Sequence, residues 1–480
     1  MICVPRPRRP RVAAPPLALR RSHHAQDHTI LRRLRMAFLA LLPIAAVLAG
    51  PSASAGEAPR AEDTPTATPI KHFVTLMQEN HSFDNYFGSY PGADGHPAGT
   101  CIPNSSTDPS KGCSTPYSIS GKPVLDLGHS VDIHEKQFND GKMDGFVTAF
   151  EGQAGFGSLA MGYYDGKDIP YYWNLADNYV LFDRFFTSAA GGSVWNHMFW
   201  VTGAPGNPKS DALLPGGFDH VPTIFDSLQA AGVSWKFYIQ NYDPSITFRN
   251  PGNGDRGAQI VWAPVLNYNR FLDDPELSRH IVSLDEYYDD LANGTLPAVS
   301  YIVPSGASEH PPGSIQAGER FVRTLISSLQ RSSSWESSAF MWTYDDWGGW
   351  YDHVPPPQVD QYGYGFRAPA LLVSPYAKKG YIDSTELDFT SMLKFIEGNW
   401  GLEALAERDA KANDILTAFD FAAAPRLPVL LDRVRDPIPP PKPKQAIVYA
   451  AYSLAIAVPV GLIVIGYMRS RRRQTSRGVA

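Results

Sequence analysis

The chain is short of cysteine, of positive charge and of internal repetition. It has 3 Cys in 480 residues. No His or third Cys stands at metal-ligand spacing from them, so a cysteine-based metal site or nucleophile has no support. Net charge is −6, without the basic stripe that marks a nucleic-acid binder, so nucleic acid is not an expected partner. No internal repeat is visible, which removes repeat arrays from consideration. Long uncharged apolar runs occur only near the two ends.

Both end segments read as addresses rather than fold. Arg32-Arg33-Leu34-Arg35 precedes an apolar run from Met36 to Leu48, and Ala53-Ser54-Ala55 supplies a small-x-small cleavage site. Residues 1–55 are therefore expected to be a leader with a secretory signal peptide, with Met36 as an alternative start and Sec or Tat export left open. At the other end, 446–468 is uncharged and long enough to cross ~30 Å of hydrocarbon as a transmembrane helix. Arg469, Arg471, Arg472 and Arg473 follow, so 469–480 reads as a basic cytoplasmic tail. A Pro-rich spacer, 426–445, joins it to the domain, and 56–69 is a linker. The expected localisation is thus the cell membrane, single-pass, with the domain outside and the C-terminus cytoplasmic. In that compartment Cys101 and Cys113, which bracket a Pro/Ser/Asn-rich loop, are expected to form a local disulfide.

Between these ends, 70–425 alternates strand-like and helical runs. Apolar stretches such as Phe73–Met77, Val233–Ile239, Ala298–Val303, Ala339–Tyr344 and Ala368–Val373 read as strands, and Val180–Thr187 as another. Helices are expected over Tyr171–Tyr179, Ile224–Ala231, Arg320–Leu329 and Ser391–Ile396. Alternation of this kind implies one α/β domain, a mostly parallel central sheet flanked by helices on both faces. Segment 241–283, polar and aromatic with little periodicity, reads as an insertion or lid.

Chemistry concentrates where strands end. Glu79-Asn80 follows the first strand, and Asp345-Asp346 follows another. In open α/β sheets that edge collects ligands and ions. Adjacent carboxylates repel and so favour protonation or a cation, and with an Asn they make a hard, oxygen-rich set suited to a divalent metal. A solvated acidic turn is the bland alternative. Gly191-Gly192-Ser193 opens a helix. Ser193 is an N-cap by default, or a hydroxyl at an anion-attracting helix start. His310, in Ser308-Glu309-His310-Pro311-Pro312, and His129 stand in loops and could protonate a leaving group or hold a phosphate oxygen.

Together these stretches resemble the bacterial phospholipase C and acid phosphatase (phosphoesterase) family. Met77-Gln-Glu-Asn-His-Ser-Phe-Asp84 is similar to one signature and Tyr344-Asp-Asp-Trp-Gly-Gly-Trp-Tyr-Asp-His-Val-Pro-Pro-Pro357 to the second. Gly141–Phe146, Glu309–Pro312 and Gly365–Ala370 continue the likeness. It implies an alkaline-phosphatase-like α/β fold. It implies a divalent cation held by Glu79, Asn80, Asp345, Asp346 and Ser193, with Ser193 as nucleophile and His310 and His129 beside the phosphate. Departures cluster near the site. His81 stands for the usual Arg, Trp347 for a His and Phe389 for a His. Gly192 replaces the Pro before the nucleophile, and Trp195 and His197 replace the Pro and Arg around Asn196.

The expected function is metal-dependent hydrolysis of a phosphate ester, phospholipid or small phosphomonoester, through a phospho-seryl intermediate. The alternatives are another hydrolase of the same superfamily, such as a phosphodiesterase or sulfatase, and a non-catalytic cell-surface binding protein on this fold.

Overall fold

The computed structural model describes residue 61 and residues 64–120 and 124–435. The central sheet has eight strands: β1 (His72–Gln78), β2 (Val180–Phe182), β3 (Trp235–Ile239), β4 (Ile281–Ser283), β5 (Val299–Val303), β6 (Ser338–Tyr344), β7 (Ala370–Val373) and β8 (Tyr381–Asp383). Their spatial order is β8-β2-β7-β6-β1-β5-β3-β4. β1 is central and parallel to both neighbours, β6 and β5. β3, β4 and β5 continue parallel, as do β2 and β8. β7 alone is reversed, antiparallel to β6 and to β2. The α/β class and the mostly parallel sheet are as expected.

Every residue of β1 and of β6 is buried, which is why these segments read as unbroken apolar runs rather than alternating ones. Register pairs Val74 with Phe340 and Leu76 with Trp342, placing them on one face, while Phe73 and Thr75 occupy the other. Five helices matter for the site: α1 (Phe83–Phe87), α2 (Pro170–Asn178), α3 (Ser193–Thr202), α4 (Ile315–Arg331) and α5 (Phe389–Trp400). On the first face, Tyr172 of α2 stacks on Trp342 with ring centroids 4.2 Å apart, and α4 packs on α2. On the second, Phe395 of α5 meets Phe73 at 5.1 Å, and the Trp200 indole of α3 donates to the Thr75 hydroxyl. Helices thus cover both faces.

Three-residue strands escape a periodicity argument. β4 and β8 carry too few residues to show one. The expected strand Val180–Thr187 stops at Phe182, and Phe185 and Phe186 make only single bridges, to Leu387 and Arg367. The insertion 241–283 is built of short turns, including the helix Gln259–Trp262, and ends in β4. Cys101 and Cys113 are joined in the expected disulfide, with Cα atoms 5.3 Å apart.

The expected membrane localisation is corrected here. Among the described residues, no helix is long and apolar enough to cross a membrane. The leader 1–55, the span 446–468 and the tail 469–480 lie outside the described residues, so the single-pass anchor and the membrane partnership drawn from them have no structural support. Of the spacer, 426–435 is described, and it lies along the domain: Arg433 pairs with Glu319 of α4 and Arg435 with Asp177 of α2, each at 2.5 Å.

Candidate active site

The site begins where β1 and β6 run out together. The Asp345 N–H donates to the Gln78 carbonyl at 3.0 Å, prolonging the parallel ladder by one step. Asn80 then turns into the left-handed region, φ 67°, and its N–H donates to Asp345 Oδ1 at 3.1 Å. Beyond the acid pair, Gly348 has φ 61°, and its N–H donates to Asp346 Oδ1 at 2.7 Å. A side chain at Gly348 would collide with the Asn80 carbonyl, so this turn requires glycine. Backbone conformation alone therefore aims Glu79, Asn80, Asp345 and Asp346 at one point.

Helix α3 delivers the remaining groups. Gly192 is its N-cap and Ser193 its first residue, so Ser193 is not itself the cap. Its hydroxyl donates instead to Asp346 Oδ2 at 3.3 Å. One turn later His197 points the same way, as an i, i+4 neighbour must. Its Nδ1 lies 3.0 Å from the Ser193 carbonyl, and its Nε2 lies 3.3 Å from Glu79 Oε1. Sequence reasoning registered His197 only as a departure. Its spacing from Ser193 was the signal that it belongs to the site.

Three buried atoms here have no hydrogen-bond partner: Glu79 Oε1, Asp345 Oδ2 and His197 Nε2. Ligand atoms of these three residues lie within 4.8 Å of one another. If Nδ1–H of His197 donates to the Ser193 carbonyl, Nε2 presents a lone pair to a carboxylate oxygen. Burial lowers the His197 pKa, in keeping with a neutral ring. Asn80 repeats the pattern: its side-chain oxygen lies 3.1 Å from Glu79 Oε2 and 3.3 Å from Asp345 Oδ1, acceptor against acceptor, while its amide nitrogen is 2.9 Å from His129 Nε2. Turned over, the amide would donate to both carboxylates; with oxygen inward it makes the arrangement a cation requires. Burial, then the charges of Asp345 and Asp346, push the Glu79 pKa well up, and burial and Asp345 do the same for Asp346. Carboxylate, amide and imidazole donors around orphaned atoms fit a divalent metal.

His129 and His310 flank this cage, with ring centroids 5.9 Å apart. His129 Nδ1 lies 2.8 Å from the Leu127 carbonyl and His310 Nδ1 2.7 Å from that of Pro311. His310 also lines a cavity of about 760 Å³, walled on its far side by Asn241, Asp243, Ile246 and Trp262 of the insertion. Trp262 lines this cavity together with Glu309 and His310, so the insertion reaches the cage's neighbourhood. Every residue expected in the site is thus brought to one edge of the sheet. Asp211, which sequence reasoning missed, joins them. Its Oδ2 accepts from the Gly192 N–H at 2.6 Å and its Oδ1 from the Trp195 N–H at 2.7 Å. It comes from an irregular loop with no periodicity to flag it.

Two departures are buried. His81 is fully buried, its Nδ1 2.7 Å from Asn85 Oδ1, in a nest with Tyr86 and Trp350; burial brings its pKa down to about 4. Trp347 is also buried, donating to Gln137 Oε1 at 2.6 Å. A second acidic group, Asp84, Asp352 and His353, also has ligand spacing, but it already surrounds a cation. Arg367 pairs with Asp84 at 3.1 Å and Asp352 at 3.0 Å.

The model of the Phosphoesterase family matches residues 70–403. Phospholipase C A of Mycobacterium tuberculosis is 30% identical over 431 residues, covering 75% of this chain and 78% of that protein. The non-hemolytic phospholipase C of Burkholderia pseudomallei is 27% identical over 501 residues, covering 84% of this chain and 68% of that protein. A solved structure described as a protein in the alkaline phosphatase superfamily from Vibrio parahaemolyticus overlaps 48% of this chain and 60% of its own, at 15% identity and a TM-score of 0.30, too loose a match to argue from. On the match to residues 70–403, the chain belongs to the Phosphoesterase family and is a phosphoric ester hydrolase.

Proposed function

We propose that this chain cleaves a phosphate ester through a phospho-seryl intermediate on Ser193, beside a divalent cation held by Glu79, Asn80, Asp345, Asp346 and His197. The observation that carries the reading is the convergence of three partnerless buried atoms, on Glu79, Asp345 and His197, one helical turn from a hydroxyl directed at Asp346. When bound, the cation lowers the pKa of a nearby hydroxyl and neutralises charge developing on phosphate oxygens. Asp346 Oδ2 is the acceptor placed for the Ser193 proton. As Ser193 Oγ bonds to phosphorus, the ester P–O bond breaks, and His310 gives a proton to the departing oxygen. His129 is tied to the Asn80 amide and orients it, or contacts phosphate; His310, half-buried at the cavity wall, is better placed as the acid. Water then hydrolyses the phosphoserine. Relatives named as phospholipases C favour a phospholipid as the substrate, with a small phosphomonoester as the alternative.

Hydrolysis of chromogenic phosphate esters with a panel of divalent ions, wild type against Ser193→Ala, tests this. Loss of a covalent nucleophile is expected to cost at least ~10³-fold in kcat, with metal content and fold retained. Full activity in Ser193→Ala overturns the mechanism. A wild type that cleaves neither monoester nor diester with any divalent ion overturns the whole reading.

A further inference from the structure

Asp211 deserves a role of its own, because its position is fixed by the backbone of the nucleophile turn. Both its hydrogen bonds need backbone N–H groups at 192 and 195, and a proline at either place would have none. Here those places hold Gly192 and Trp195, so the loop can lay a carboxylate across the start of α3, on either side of Ser193. Gly192 adds the space. A methyl group on it would stand 2.8 Å from Asp211 Oδ2, 3.4 Å from the His129 carbonyl and 3.9 Å from Asp346 Oδ2. Asp211 thus borders the Ser193–Asp346–His129 corner, where the proposed reaction puts the phosphate.

We infer that Asp211 is a specificity-determining residue which favours phosphate esters bearing one negative charge, diesters, over dianionic monoesters. The inference rests on the phosphoesterase site proposed above. A substrate phosphate at Ser193 must lie near this fixed carboxylate, where like charges repel. A diester places a neutral O–R group where a monoester places a second charge. The N–H groups of Gly192 and Trp195, which would otherwise attract an anion at the helix start, are occupied by Asp211. A second phosphate charge therefore meets a carboxylate in place of free donors. A purely structural reading, Asp211 as a remote cap for a helix whose own N-cap is Gly192, predicts equal losses on every substrate.

The test compares kcat/KM for p-nitrophenyl phosphate and bis(p-nitrophenyl) phosphate, whose second ester group is neutral, in the wild type, Asp211→Asn and Asp211→Ser. Serine still accepts from a helix N–H but carries no charge. At pH ~8 the monoester is a dianion, because its second pKa is about 6. There the diester-over-monoester preference is expected to fall about tenfold or more in both variants, and by less at pH ~5, where a large share of the monoester is a monoanion. A preference unchanged at pH ~8 in folded variants overturns the inference. If neither variant folds, the wild type decides it: its preference must itself fall from pH ~8 to ~5, and a flat ratio overturns it. Failure here, with both esters still cleaved, leaves the phosphoesterase reading intact; cleavage of neither ester sinks that reading instead.

Discussion

His197 is the residue whose meaning changes most between chain and structure. A lone His in the apolar run Met198-Phe199-Trp200 looks like a core residue, and nothing near it in sequence carries charge. Glu79-Asn80 and Asp345-Asp346 were legible because each is an adjacent polar pair at the end of an unbroken apolar strand. His197 becomes a site residue only because helix α3 stacks it over Ser193, and Asp211 only because a loop folds back. Replacing His197 by Phe, which keeps a ring and removes its nitrogen donors, is expected to weaken divalent-metal binding by at least ~10-fold. Equilibrium dialysis checks this, and unaltered affinity would remove the imidazole from the cage. Glu309 gives a separate residue-scale prediction. Its carboxyl is fully buried, accepting from the Tyr86 and Tyr344 hydroxyls at 2.5 Å and from that of Tyr172, and burial lifts its pKa from 4.5 to about 8. Between those values the folded chain holds a proton that the unfolded chain has lost. Stability from this group is therefore complete below about 4.5 and drains away as pH rises toward 8, by up to ~1.4 kcal/mol per pH unit. Glu309→Gln, neutral at all pH, should flatten that slope in denaturant titrations. An identical pH dependence in the two proteins would count against it.

At the scale of elements, three separate stretches are fastened by one buried guanidinium. Arg367 is fully buried. It pairs with Asp84 on α1 and with Asp352 beyond the acid turn, donates to the carbonyls of Asp94 and Asp183 at 2.7 Å, and covers the Phe83 ring at 4.5 Å. Two of the segments it joins, around Asp84 and Asp352, are those whose motifs stood out in sequence, so those motifs encode assembly of the sheet edge as well as chemistry. Removing one partner of such a pair leaves uncompensated buried charge, so Arg367→Met is expected to lose ~3–5 kcal/mol in chemical denaturation. Arg367→Lys should recover little of it, since one ammonium cannot reproduce a planar fork. A loss under ~1 kcal/mol would mean the cluster relaxes freely. Element legibility followed length and burial. β1, β5, β6 and β7 were readable because four to seven consecutive buried residues leave an apolar run, and β3 because only the half-buried Lys236 interrupts its own. The helix Ile224–Ala231 was readable through its Gly232 stop, where φ is 68°. β4 and β8, three residues each, exist only because the sheet has edges for them to pair with.

For the molecule as a whole, the cage is a stability problem as much as a catalytic device. Glu79, Asp345 and Asp346 are all completely buried at the edge of the sheet, and no Lys or Arg is paired with them among the described ion pairs. Only two things can make such a cluster tolerable: protons or a cation. Protonation answers for Glu79 and Asp346, whose pKa values burial and mutual repulsion raise, and a proton on Glu79 Oε1 would serve His197 Nε2, 3.3 Å away, but Asp345 Oδ2 has no donor of its own. A cation satisfies all of them at once. Folding and metal binding are then linked, because the unfolded chain has no cage, and a ligand at ~1,000 times its Kd stabilises the native state by ~4 kcal/mol. Melting in excess chelator is therefore expected several degrees below melting in excess divalent ion, at ~2–4 °C per kcal/mol for a large domain. The gap should close in acid, where ligand carboxylates must take up protons before the metal leaves. It should shrink in Asp345→Asn, which removes one of the charges that would hold the cation while keeping the volume. A melting temperature indifferent to chelator and to every divalent ion tried would show that protons alone hold this edge together, and the proposed chemistry of Ser193 would then lose the cation it depends on.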